Sequence, residues 1–117
     1  MQYTTDGWPS DPSSQSTQAQ DAISRQDPVL IAAGDIADCR SPGDEETAAL
    51  IRDIPGTIAT LGDNAYRAGS PKEFAACYDP TWGTEKVRTR PAVGNHEYGT
   101  PGARGYFDYF GTAAGAR

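Results

Sequence analysis

The chain has 117 residues, 37% of them apolar and 22% charged, with 13 glycines and 9 prolines, which allows one domain of ordinary size, rich in turns, and not two. Ten lysines and arginines stand against 16 aspartates and glutamates, a formal charge of −6; this repels a nucleic-acid backbone and disfavours phosphate substrates unless a bound cation reverses the local charge. The longest apolar run, Val29 to Ala33, falls far short of the roughly 20 residues that cross a bilayer, and no basic segment followed by an apolar one opens the chain as a secretory leader does, so neither a nucleic-acid nor a membrane partner is expected.

Residues 1–27 consist mainly of Ser, Gln, Thr, Asp and Pro, with little apolar beyond Trp8 and Ile23. Such a composition buries too little area to offset the entropy of ordering, and predicts a disordered tail or linker ahead of a domain spanning 28–117. From Pro28 the pattern changes. Val29-Leu30-Ile31-Ala32-Ala33 reads as a short buried strand ended by Gly34-Asp35. Asp44 is placed to cap a helix whose Thr47, Leu50, Ile51 and Ile54 share one face, stopped by Pro55-Gly56.

Thr57-Ile58-Ala59-Thr60-Leu61 reads as a second strand, again ended by a Gly-Asp pair, Gly62-Asp63. Strand, helix, strand is the order of a parallel βαβ unit, which sets the two Gly-Asp pairs side by side at one sheet edge. Ser70-Pro71-Lys72-Glu73 has a capping serine, proline at the first helical position and glutamate three after the cap, so a second helix starts there and ends near Asp79-Pro80. Pro91-Ala92-Val93 reads as a third strand, closed by Gly94-Asn95-His96-Glu97, and the aromatic run from Tyr106 to Phe110 as a cluster packing on the core.

Three strands thus end in glycine followed by an oxygen-bearing residue: Asp35, Asp63 and Asn95. Glycine lets the chain turn sharply there, and ligands of open α/β sheets bind at the carboxyl ends of strands. Two carboxylates and an amide oxygen suit a hard cation, and the lone histidine, His96, stands beside them. Glu97 reads either as a group that orients His96 or as a solvated or backbone-bonded turn residue; Asp38 and Asp79 read as loop carboxylates. Cys39 and Cys77 are too few and too far apart for a zinc site, and the sequence leaves open whether they form a disulfide, suited to an oxidising compartment, or remain buried thiols.

The segments Ala33-Gly34-Asp35, Leu61-Gly62-Asp63-Asn64-Ala65-Tyr66 and Val93-Gly94-Asn95-His96-Glu97 resemble the first three motifs of the calcineurin-like metallophosphoesterases. Tyr66, three residues after Asp63, resembles the tyrosine of the purple acid phosphatase-like branch, and Ala37 stands where most of the superfamily has a metal-binding histidine. Tyr78 to Gly83 and Gly105 to Gly111 are similar to bacterial, often secreted, members, and on that ground alone an extracytoplasmic location is the expectation. The resemblance covers roughly residues 28–111.

It implies a four-layer α/β/β/α sandwich, of which this chain would supply the first half, with βαβ units. It also implies a dinuclear centre: Asp63 bridges two ions, Asp35 and Tyr66 bind the first, favouring iron(III), and Asn95 binds the second, iron, zinc or manganese. His96 is then the catalytic residue, donating to the leaving oxygen of a small phosphate ester while the ions lower the pKa of a bound water and align it for in-line attack. The same resemblance implies three further histidine ligands in two later motifs, whereas His96 is the single histidine here. The expectation is therefore an acid phosphatase-like phosphomonoesterase of which this chain is a truncated part, with a bare sheet face covered by self-association or by a missing C-terminal half. The alternative is a remnant that binds metal or phosphate without turnover. A nucleotide-binding βαβ module is disfavoured by the lack of a Gly-x-Gly-x-x-Gly or Gly-x-x-x-x-Gly-Lys run.

Overall fold

The structure, a computed structural model, describes residues 27–117; the tail expected over 1–27 lies, but for its last residue, outside the described residues. Strand β1 (Leu30–Ala33) pairs in parallel with β3 (Thr57–Thr60), Ile31 opposite Ile58 and Ala33 opposite Thr60. Between them run the short β2 (Ala37–Asp38) and helix α1 (Gly43–Arg52). This is the parallel strand, helix, strand unit that the order of apolar runs demands, and the protein is a mixed α/β fold.

The ladder does not stop at the first Gly-Asp pair. Asp35, Ile36 and Ala37 donate their N–H groups to the carbonyls of Gly62, Asp63 and Asn64 at 3.3, 3.0 and 3.0 Å. Pairing then resumes as β2 against β4 (Ala65–Tyr66). The two Gly-Asp turns are thereby locked in register. The third strand falls two residues before the expected Pro91-Ala92-Val93: β5 is Thr89–Arg90, parallel to β3. Proline brings no N–H to a ladder, and past Pro91 the Ala92 N–H is taken by the Thr60 hydroxyl (3.1 Å).

Helix α1 buries Asp44, Ala48 and Ile51, while Leu50, expected on the buried face, is 69% exposed. Asp44 is not the cap either; that position is Pro42, without a side-chain bond. Its buried carboxylate instead accepts from the Thr81 hydroxyl (2.8 Å), and Trp82 Nε1 donates to Thr47 Oγ1 (2.9 Å). With these two polar contacts the row Asp44, Ala48, Ile51 faces inward at spacings of four and three, Thr47 lies at its exposed margin, and Leu50 is turned out.

At the helix's other end Arg88 donates to the carbonyls of Ile51, Ile54 and Gly56 at 2.8, 2.7 and 3.0 Å, satisfying groups a helix terminus leaves open. Replacing Arg88 by methionine is expected to lower the unfolding free energy by about 2 kcal/mol, read as an earlier urea midpoint.

Helix α2 begins as the sequence requires: Ser70 accepts from the Glu73 N–H (3.1 Å), with Pro71 at the first position. It runs α-helical over Pro71–Glu73 and widens into a π-helical segment, Phe74–Tyr78. Cys77 on that segment is disulfide-bonded to Cys39, just past β2, with α-carbons 5.3 Å apart. Helix α3 (Arg104–Phe110) closes the core. Phe74 stacks on Tyr109 (5.0 Å between ring centres) and meets Phe110 edge-on (5.8 Å), the geometry aromatic quadrupoles favour.

Burial pushes the phenols of Tyr78, Tyr106 and Tyr109 above their ordinary value of 10, Tyr109 also through its bond to Asp79. The folded state then holds protons that the unfolded chain releases. The stability tied to them is complete below pH 10 and is lost as the pH rises toward the folded values. A urea midpoint lower at pH 11 than at pH 8 is the expected result.

One face of the sheet, with Ile58 and Thr60 buried, packs on this core. The other carries Leu30, Ala32, Ala59 and Leu61, with Leu30 68% and Leu61 66% exposed. It is a sheet face open to solvent, mainly apolar, with Thr57 beside Leu30 and Arg90 beside Ala59.

Candidate functional site

Gly34 and Gly62, just past β1 and β3, and Gly94, four residues past β5, lie in a row. A β-carbon on Gly34 would sit 3.2 Å from the Gly62 carbonyl oxygen, and one on Gly62 would sit 3.0 Å from the Gly94 α-carbon. Only hydrogen side chains permit this approach, and it draws the residues that follow, Asp35, Asp63 and Asn95, to one edge of the sheet. Asp35 and Asp63 both take up left-handed backbone, with φ of 52°. Aspartate is one of the few non-glycine residues that visits this region readily.

The Tyr66 hydroxyl donates to Asp35 Oδ1. The Tyr66 and His96 rings are in contact, 4.4 Å between centres, and the His96 backbone N–H donates to Asp63 Oδ1 (2.9 Å). Asp35, Tyr66, His96 and Asp63 therefore form one connected chain of contacts. Asn95, between Gly94 and His96, is exposed at the head of the third turn. The structure thus brings four of the five sequence candidates into direct sequence of contact and places the fifth beside them on the same edge.

The hydrogen bond to Asp35, reinforced by partial desolvation and by the charges of Asp35, Asp63 and Glu97, raises the Tyr66 phenol far above its usual range. In the metal-free protein it stays protonated. His96 Nδ1 lies 2.7 Å from the Arg67 carbonyl oxygen, which only accepts, so Nδ1 carries a proton and Nε2 is the ring's free acid-base position.

Glu97 lies deeper than any reading of its neighbours indicates. It is wholly buried, and its two oxygens accept the N–H groups of Asp63 (3.1 Å), Asn64 (2.8 Å), Ala65 (3.3 Å) and Gly94 (2.7 Å). Of the roles open to it, that of a backbone-bonded group is the one observed. Asp38, in β2, pairs with Arg40 at 2.7 Å, and that bond holds its carboxyl well below the ordinary value. Asp79 accepts from the Tyr109 hydroxyl (2.7 Å).

The oxygen-bearing groups at this edge are two carboxylates, a phenol and an amide, the ligand types a hard cation takes. Among the described residues no three of His, Cys, Asp and Glu gather as a metal-holding group, so phenol and amide oxygens have to complete any such site. A cavity of about 430 Å³ opens beside Asp35 and Tyr66, walled by Ile36, Ser41, Thr47 and Trp82. No helix among the described residues is long and apolar enough to cross a membrane. No protein-family model, curated protein or solved structure matches the chain.

Proposed function

We propose that this edge is the metal-binding front of a phosphoester hydrolase, of the calcineurin-like, purple acid phosphatase-like kind that the motifs resemble. The observation that carries the reading is the contact chain from Asp35 through Tyr66 and His96 to Asp63 at the carboxyl ends of parallel strands. Two carboxylates on a chain of charge −6 repel a phosphate ester; cations held by Asp35, Asp63, Tyr66 and Asn95 make the same edge receptive to one.

Bound there, two ions, iron(III) with iron, zinc or manganese, supply charge that offsets the phosphate oxygens and acidifies a water. Asp63, its Oδ1 engaged by the His96 N–H, keeps Oδ2 for a cation. His96, with Nδ1 committed to the Arg67 carbonyl, donates from Nε2 as an imidazolium to the leaving oxygen. In the four-layer sandwich that this reading entails, the open face of Leu30, Ala32, Ala59 and Leu61 is the surface on which a second sheet, or a second copy, lies.

Hydrolysis of p-nitrophenyl phosphate by iron- and zinc-loaded protein, lost on Asp63→Asn and on His96→Ala, is the expected result; turnover unchanged in both variants overturns the assignment. The single histidine, His96, where the resemblance implies three further histidine ligands, favours a second reading, a domain that binds metal or phosphate without turnover. Metal bound tightly with no rate above that of free metal in buffer selects it.

A further inference from the structure

We propose that Glu97 is the positioning residue of this site, a buried latch that fixes the Asp63 and Asn95 turns relative to each other so that their oxygens face one cation. The inference rests on the metal-binding reading above and goes beyond it, because Glu97 lies under the site and takes no part as a ligand.

Its geometry is that of a clamp between two loops. Oε2 accepts from Asp63 N (3.1 Å) on the second turn and from Gly94 N (2.7 Å) on the third. Oε1 accepts from Asn64 N (2.8 Å) and Ala65 N (3.3 Å), while Asn64 Nδ2 donates a longer bond to Oε2 (3.4 Å) and another to the Ala92 carbonyl (2.9 Å). One carboxylate thus gathers consecutive N–H groups of the Asp63 turn and ties them to the strand end that carries Asn95.

The neighbouring residue grips the same aspartate from above, His96 N–H on Asp63 Oδ1. Asp63, in left-handed backbone with φ of 52°, is therefore held both by its own N–H and by its side chain. The loop after β4 is also moulded around Glu97. A β-carbon on Gly69 would lie 2.6 Å from the Glu97 α-carbon and 2.8 Å from its γ-carbon.

Both Glu97 oxygens serve donors, so the position requires two acceptors. Glutamine keeps the shape but turns an NH₂ toward either the Asp63 and Gly94 pair or the Asn64 and Ala65 pair, leaving buried N–H groups facing a donor. Outer partners of metal ligands commonly control affinity through such orientation.

The test is Mn²⁺ binding by titration calorimetry on the wild-type chain, on Glu97→Gln, and on Arg88→Met, which destabilises the fold at the far end of α1. Glu97→Gln is expected to weaken Mn²⁺ binding by roughly 10–100-fold, with Arg88→Met at the wild-type affinity. Wild-type affinity in Glu97→Gln overturns the latch while leaving the metal site standing. No Mn²⁺ binding by the wild-type chain overturns the metal-site reading and the latch with it. Equal weakening in Arg88→Met reduces Glu97 to a contributor to general stability and overturns the proposal. Should Glu97→Gln not fold, amide hydrogen exchange in the wild-type chain decides: the amides of Asp63, Asn64, Ala65 and Gly94 are expected to open in one event with a common protection. Widely different protection among the four overturns the latch.

Discussion

Replacing Cys39 and Cys77 together by serine, or reducing their bond, is expected to lower the unfolding free energy by about 4 kcal/mol, seen as a large fall in the urea midpoint of the reduced protein. The bond joins residues 38 apart in sequence, and closing a loop of that size removes much of the freedom of the unfolded chain. Its position makes the effect local as well. Cys39 directly follows β2, whose two residues pair with β4, and Cys77 lies on the π-helical segment that carries Phe74 and Tyr78 into the core. Without the bond, the loop after Asp35 keeps only non-covalent ties to the aromatic core: its short ladder and the burial of Ile36 and Ala37. Small domains stand on the order of 5–15 kcal/mol above unfolding, so this single bond decides a large part of the margin. A midpoint unmoved by reduction contradicts the account.

The substitution Gly94→Ala is expected to cost about 3 kcal/mol or more and to abolish the metal binding proposed for this edge, measured by denaturation and calorimetry on the same sample. A β-carbon there would fall 2.2 Å from both the backbone nitrogen and Oδ1 of Asp63, and 2.9 Å from its γ-carbon. The obstacle is another turn's backbone, not the flexible end of a side chain, and the added methyl has to push the second and third turns apart. Gly43→Ala is the contrast. It opens α1, and its β-carbon would meet only Ser41 Oγ at 3.6 Å; a neutral or slightly stabilising change is expected there, since alanine is the better helix former by about 1 kcal/mol.

Much of this fold is legible in the sequence because its signals are local. The apolar runs at 30–33 and 57–60 are bounded by turn residues, and the Ser70, Pro71 and Glu73 arrangement announces its helix start without tertiary help. Where tertiary contacts decide, the reading slips. Leu50 satisfies a helical periodicity yet faces solvent, because Asp44 and Thr47 have buried partners in Thr81 and Trp82 that no spacing rule reveals. The third strand is displaced by one proline.

The candidate site divides in the same way. Asp35, Asp63, Asn95 and His96 stand out as a recurring turn chemistry, Tyr66 only through the resemblance of its motif, and the sheet edge gathers them. Glu97 does not stand out. A glutamate after a histidine carries the same letter whether it is solvated or buried under four N–H groups, and its role depends on two loops that meet only in space.

That latch also imposes an order of events on a chain made from its amino end. Asp63 is 34 residues ahead of the carboxylate that holds its N–H. At ~5–20 residues per second of synthesis, the second turn leaves the ribosomal reaction centre roughly 2–7 s before its anchor exists. In that interval β1 and β3 already have every residue they need to pair, while the turn between β3 and β4 has no partner for its consecutive amides. Maturation of the edge that carries Asp63 and Asn95 is therefore a late step, gated by the emergence of residue 97 and not by formation of the sheet that carries it.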